Sequence, residues 1–221
     1  MMLKLYGFAA SNYFNMVKLV LLEKGIAYET VPFHGCQNPA ILAVSPRGKV
    51  PALETEHGFL SETDAILDYL EETQSGPALL PRDPFARAQV RAMAKEIELY
   101  IELPARLCYA EVMFGGRPTP EALKRKAQRD LIKGFTALSR RAKFSPYVMG
   151  DQFTLADVYF LYSVDLAAEV AKKLFDLDVL AQMPKAGALL ELLAKNPNVQ
   201  KVAAERAADI PLFLERIKTA G

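Results

Sequence analysis

From Leu3 to Tyr6 apolar and polar residues alternate, the period of a half-buried strand, and the run ends at Gly7. From Asn12 to Lys24 the period becomes helical, with Met16, Val17, Val20 and Leu21 on one face and Gly25 as the stop. Tyr28 to Phe33 predicts a second strand. Pro39 to Val44 predicts a short helix closed by Ser45-Pro46. Pro51 to Thr55 and Phe59 to Ser61 predict a hairpin across Glu56-His57-Gly58, and Glu62 to Glu72 an amphipathic helix. The order βαβαββα describes a small mixed sheet carrying helices.

The texture changes near Gly76. Ser75-Gly76-Pro77 and Leu80-Pro81-Arg82-Asp83-Pro84 form a proline-rich connector. The domains read as 1–76 for an α/β unit, 77–84 for a linker and 85–221 for an all-helical unit. Phe85 to about Phe114 predicts one long helix kinked at Pro104 and broken at Gly115-Gly116-Arg117-Pro118. Thr119-Pro120-Glu121 predicts an N-cap, a first-turn proline and an acidic start for a helix running to about Lys143. Shorter helices are expected at Leu155–Ala171, Ala186–Ala194 and Pro197–Ala207. Ile210 to Ile217 carries no strong pattern, and there is no internal repeat.

Composition narrows the function classes. The chain has 221 residues, 51% of them hydrophobic, enough for a folded core. A formal net charge of +1 gives no electrostatic case for nucleic acid or a membrane surface. No apolar run reaches the length of a membrane span, and MMLKLYGF turns straight into a strand without a signal-peptide layout, so the expected location is the cytoplasm. Cys36 and Cys108 form no paired motif, and only His34 and His57 are present, so neither a disulfide framework nor a metal site is expected.

The segment from Ser45 to Leu70 carries the most specific chemistry. Arg47-Gly48-Lys49 forms a loop before Val50-Pro51, where a cis bond is accessible because X-Pro bonds adopt cis at modest cost. Such a bond would turn the Val50 N–H and C=O outward, to pair with a peptide-like ligand as an added strand. Just beyond, a helix start offers backbone N–H groups and the Thr63 hydroxyl to an anion. Together these features suit a small acidic peptide. Singly they are ordinary: Ser61-x-x-Asp64 fits a capping box, and Pro51 fits a trans proline opening an edge strand.

Three motifs at their mutual spacing, Gly48-Lys49-Val50-Pro51, Glu62-Thr63-x-Ala65-Ile66 and Gly150-Asp151-Gln152-Phe153-Thr154-Leu155-Ala156-Asp157, resemble the glutathione transferase superfamily over essentially the whole chain. Thr63 stands where a serine is usual and keeps the hydroxyl. The resemblance implies a thioredoxin-like N-terminal domain and an all-helical C-terminal domain. It implies that Val50, beside Pro51, pairs its backbone with the cysteinyl part of glutathione. Glu62 and Thr63 would hold the γ-glutamyl end, and Lys49 the glycyl carboxylate or the peptide backbone, with Gln37 as a weaker candidate for the glycyl end. Thr154 and Asp157 form the capping box of a buried helix, with Phe153 as its hydrophobic staple, a folding motif rather than part of the site.

Catalysis in this family requires a thiolate, and a free thiol titrates near pH ~8.5 unless a donor or helix N-terminus lowers it. Ser11, in the turn before the first helix, lies six residues before Val17. That spacing resembles serine-type transferases of the phi and theta classes, which implies that Ser11 donates to the glutathione sulfur. The plainer alternative is that Ser11 or Asn12 is only an N-cap. Tyr6 and Tyr13 are rivals for the thiol contact, and neither cysteine falls at a family position for a catalytic thiol.

The resemblance further implies glutathione as co-substrate with no permanently bound cofactor, a small hydrophobic electrophile as acceptor, detoxification as the role, and a homodimer. The same sulfur would serve peroxide reduction. Tyr100, Tyr109, Met113 and Phe114 are the residues available for an acceptor pocket expected between the domains. The alternative is a catalytically silent binding or assembly module. Retention of Ser11, Val50-Pro51 and Glu62-Thr63 favours the enzyme.

Overall fold

The computed structural model describes residues 2–219. Four strands form one mixed sheet in the order β2-β1-β3-β4. Strand β1 (Leu3–Gly7) runs parallel to β2 (Tyr28–Pro32) and antiparallel to β3 (Ala52–Thr55), which pairs antiparallel with β4 (Gly58–Ser61). In register, Gly7 faces Pro32, Tyr6 faces Ala52 and Ala52 faces Ser61. The ends of β1, β2 and β4 and the start of β3 therefore lie at one end of the sheet. Helices α1 (Asn12–Glu23), α2 (Pro39–Val44) and α3 (Thr63–Thr73) complete the βαβαββα order read from the sequence.

The expected long helix over 85–114 is divided. Helix α4 (Pro84–Ile97) passes into a π-helical turn at Glu98–Glu102, where the Leu103 N–H reaches back to the Glu98 carbonyl. Helices α5 (Leu103–Arg106) and α6 (Tyr109–Phe114) follow. Pro104 has no N–H to give the preceding turn and its ring crowds the carbonyl four residues back, so the backbone widens ahead of it. Helix α7 (Glu121–Arg141) crosses this turn closely: a Cβ at Gly134 would lie 2.2 Å from the Tyr100 carbonyl oxygen. Its N-cap is Pro120, not Thr119 as the sequence predicts, and the Thr119 N–H donates to the Glu111 carboxylate of α6.

Helices α8 (Leu155–Phe175) and α9 (Pro184–Leu193) complete the bundle. Its core is built from Met93, Ile97, Ile101, Leu131, Val158, Tyr159 and Phe160. The capping box at the head of α8 is formed. The fully buried Asp157 carboxylate accepts the Thr154 N–H at 2.8 Å, the Thr154 hydroxyl at 3.0 Å and the Val148 N–H at 2.8 Å. No helix of the described residues is long and apolar enough to cross a membrane.

The last helix, α10 (Pro197–Thr219), runs through the segment that carries no strong sequence pattern and continues past Pro211. Two compact units result: Met1–Ala78 with Asn196–Gly221, and Leu79–Lys195. The return of the last helix to the first unit has no counterpart in the sequence reading. It explains the burial of α1, where Asn12 and every residue from Phe14 to Leu21 are buried rather than one face alone. The sheet and α3 cover part of α1, and α10 covers the rest. Lys18 and Glu205 pair across α1 and α10, and Glu23 accepts from the side-chain amides of Asn196 and Asn198.

Candidate functional site

Three segments converge at the sheet end just described. The first is the turn Phe8–Ser11, closed by the Ser11 N–H on the Phe8 carbonyl at 3.1 Å. Two alanines fill its centre and offer no side chain to anchor it. Instead the fully buried Asn15 donates to the Ala9 carbonyl at 2.8 Å, and the Ala10 N–H donates to the Asp209 carboxylate of α10 at 2.8 Å. Ser11 has extended dihedrals and caps α1, accepting the Phe14 N–H at 3.4 Å. The capping alternative is thus realised, but it uses only an oxygen lone pair. The hydroxyl proton remains to be donated.

The second segment runs from Ser45 to Pro51. The Gly48 N–H donates to the Ser45 carbonyl at 2.7 Å and the Lys49 N–H to the Ser45 hydroxyl at 3.1 Å. Gly48 has φ +60°, and a Cβ there would lie 2.0 Å from the Cys36 carbonyl oxygen, so only glycine lets the two loops meet. The Gln37 amide donates to the Arg47 carbonyl at 3.4 Å, which sets it to brace this loop. The Val50–Pro51 bond is cis, and Lys49 is exposed beside it. Among the described residues no group of the chain bonds the Val50 N–H or C=O.

The third segment is the junction of β4 and α3. Glu62, not Ser61, is the N-cap of α3, and its side chain makes no capping hydrogen bond. The capping-box reading of Ser61-x-x-Asp64 therefore fails. Glu62 has φ +69° and ψ +122°, a conformation that costs a non-glycine residue roughly 1–3 kcal/mol and persists where surroundings impose it. Thr63 opens the helix and is buried at its N-terminus, where the helix dipole favours an anion.

The rivals separate on geometry. The Tyr6 hydroxyl is committed to the Glu54 carboxylate, and that bond, with burial, pushes its pKa up to about 12. Tyr13 lies half-buried in the first turn of α1. Cys36 is exposed in the loop after β2, while Cys108 is buried and its thiol pushed up by burial. Tyr100 and Tyr109 do not share an environment. Tyr100 is exposed in a groove with Leu99, Leu103 and Leu107, while Tyr109 is buried and donates to the fully buried Glu102 at 2.7 Å. Among the described residues no group of three or more His, Cys, Asp and Glu side chains could hold a metal ion.

The sequence reading missed the residues that surround the first turn. Phe8 lies between the His34 ring, 4.8 Å away, and the Phe213 ring, stacked at 5.4 Å. The Arg216 guanidinium contacts the His34 ring. Burial, followed by the Arg216 charge, lowers the His34 pKa, with Asp209 opposing. The one signal available in the sequence was in α1 itself, where Phe14, Leu19 and Leu22 place apolar side chains outside the face of Met16, Val17, Val20 and Leu21 and so call for a second cover.

The comparisons with known proteins agree with this geometry. The glutathione S-transferase N-terminal domain family matches residues 5–78, and the corresponding C-terminal domain family matches residues 106–206. A Pseudomonas putida protein named glutathione S-transferase is 59% identical over 218 residues, covering 99% of both chains. A Rattus norvegicus maleylacetoacetate isomerase is 33% identical, over 70% of this chain and 73% of its own length. Among solved structures, a glutathione S-transferase from Pseudomonas fluorescens superposes with a TM-score of 0.73 at 26% identity, covering 90% of this chain and 97% of its own. Poplar glutathione transferase F1 reaches 0.78 at 20% identity, covering 94% and 99%, and speaks to the fold alone.

Proposed function

The chain belongs to the glutathione S-transferase family, and from that premise we propose how its residues handle the tripeptide. The enzyme joins glutathione, through its sulfur, to an electrophile. We assign Val50 to main-chain pairing with the cysteinyl residue, Thr63 and the α3 N-terminus to the γ-glutamyl carboxylate, and Glu62 to the adjacent ammonium. Lys49 serves the glycyl carboxylate, with Gln37 holding the loop that presents it. The observation that carries this reading is the convergence at one sheet end of the Ser11 hydroxyl, the unpaired Val50 main chain and the head of α3.

Ser11 donates its proton in a hydrogen bond to the sulfur and stabilises the thiolate without being consumed. The thiolate attacks the electrophilic carbon, a thioether bond forms, and the leaving group departs with its electron pair or the added π-bond electrons take up a proton. A hydrogen bond to a charged group is worth about 1.5–3 kcal/mol, equivalent to roughly 10–100-fold in rate. Ser11→Ala is therefore expected to lower kcat by that factor and to leave the KM for glutathione nearly unchanged. A fully active variant would remove Ser11 from the mechanism.

The acceptor is an apolar electrophile, which makes detoxification the natural role. Hydroperoxides and a maleyl compound belong in the same substrate panel, the latter because several relatives are named maleylacetoacetate isomerases. Two free cysteines suit a reducing compartment such as the cytoplasm. A homodimer is supported by the exposed Leu99, Tyr100, Leu103 and Leu107, which line a groove of about 640 Å³ against α7. Leu103→Glu would shift the sedimentation coefficient to that of a monomer if this face pairs the subunits.

A further inference from the structure

We propose that Asp209 is a positioning residue for Ser11, acting from the far end of the chain through the Ala10 N–H. This inference rests on the thiol-activating role given to Ser11. The turn that presents Ser11 contains Ala9 and Ala10 at its centre, so no side chain there anchors it. Hydrogen bonds hold it: Ser11 N–H to the Phe8 carbonyl, the Asn15 side chain to the Ala9 carbonyl, the Phe14 and Asn15 N–H groups to the Ser11 hydroxyl and carbonyl, and Ala10 N–H to Asp209. The first is internal to the turn and those from Phe14 and Asn15 come from α1. Asp209 alone among them comes from another element, so it fixes the turn relative to α10 and not just to its own helix.

The grip of α10 is continuous. Asn198, Glu205, Asp209, Phe213 and Arg216 recur at helical spacing and meet, in order, Glu23, Lys18, the Ala10 N–H, the Phe8 ring and the His34 ring. The turn is therefore held at residue 8 by ring stacking and at residue 10 by a charge-assisted hydrogen bond. A carboxylate one residue from the thiolate partner works against sulfur ionisation by like-charge repulsion. Charge is thus not what Asp209 contributes. Its contribution is direction: with Ala10 fixed, the following peptide and the Ser11 Cα–Cβ bond are fixed as well. An effective hydrogen bond to sulfur depends on that direction.

The test uses Asp209→Ala, Asp209→Asn and a double-mutant cycle with Ser11→Ala, assayed with glutathione and a chromogenic aryl halide. Thermal unfolding first establishes that each variant is folded at the assay temperature. Asp209→Ala is expected to lower kcat about tenfold, with the KM for glutathione within about twofold, because the residues assigned to glutathione binding lie elsewhere. Asp209→Asn retains an amide oxygen able to accept the same N–H and is expected to recover most of the activity. Asp209→Ala added to Ser11→Ala is expected to cost little more, since there is no hydroxyl left to direct. Multiplicative losses in the cycle, or unchanged kcat in folded Asp209→Ala, would overturn the inference while leaving the role of Ser11 intact. Full activity of Ser11→Ala alone would overturn both.

Discussion

The Tyr6 hydroxyl donates to the Glu54 carboxylate at 2.5 Å across the β1–β3 pair, and Lys4 reaches the same carboxylate at 3.3 Å. This commits the phenol that would otherwise compete for the sulfur. Tyr6→Phe is therefore expected to keep kcat and KM within about twofold. The phenol titrates near 12 in the fold against 10.0 ordinarily. Its contribution to stability is present in full below pH 10 and fades as the pH rises towards about 12. Denaturation midpoints of the two proteins should converge over that window. A large loss of turnover in Tyr6→Phe would return the thiol role to the tyrosine.

Thr63→Val removes the hydroxyl at the head of α3 while preserving shape. The KM for glutathione should rise about tenfold, the scale of one lost hydrogen bond to a carboxylate, with a smaller effect on kcat. Retention on glutathione resin reports the same loss. Unaltered retention would place the carboxylate elsewhere.

Glu62→Gly separates stability from binding. Glycine relieves the φ +69° backbone, by about 1 kcal/mol, so the melting temperature should rise. The KM for glutathione should rise too if Glu62 holds the ammonium as proposed. A less stable variant would show that the Glu62 backbone carries no relievable strain.

Glu205→Ala strands the buried Lys18 ammonium and should cost on the order of 2 kcal/mol in urea titrations, less than a fully buried pair would cost because Glu205 is partly exposed. Lys18→Met buries an apolar chain instead and should be milder. Equal costs would mean that the pair matters for packing alone.

Asp157 combines burial, which pushes its pKa up to about 6 from 3.8, with three donors that favour the charge. The fold holds this proton more tightly than the unfolded chain does. Its contribution is thus largest below pH 3.8 and declines as the pH rises to about 6. Asp157→Ala should be destabilised by a few kcal/mol, since three buried donors lose their acceptor. Comparison of the two proteins at pH 4 and pH 7 should show the smaller difference at pH 7.

Much of the first unit was legible from local rules. Period-two and helical runs gave βαβαββα, and Gly48, Pro51 and Thr63 marked the segments that converge at the sheet end. The Thr154–Asp157 box was read correctly because a capping box is a local device, complete within four residues. Ser61-x-x-Asp64 misled because the same pattern sits one residue before a strained N-cap, and dihedral angles do not appear in a side-chain pattern. Pro104 was expected to bend a helix, but the widened π-turn ahead of it and the close approach of Gly134 of α7 to the Tyr100 carbonyl carry no signature in the sequence pattern.

By itself, the sequence determined the βαβαββα order and the helical remainder, which local periods encode, and its three motifs at their mutual spacing carried the resemblance to the family it belongs to. Tertiary structure alone decided that α10 returns to the first unit and that Asp209 holds Ala10 from 199 residues away. Such a contact has no period and no spacing. It exists because α1 carries apolar residues beyond the one face that the sheet and α3 cover, together with Lys18 and Glu23, which find their partners on α10, and the chain determines what covers it only when the whole fold closes.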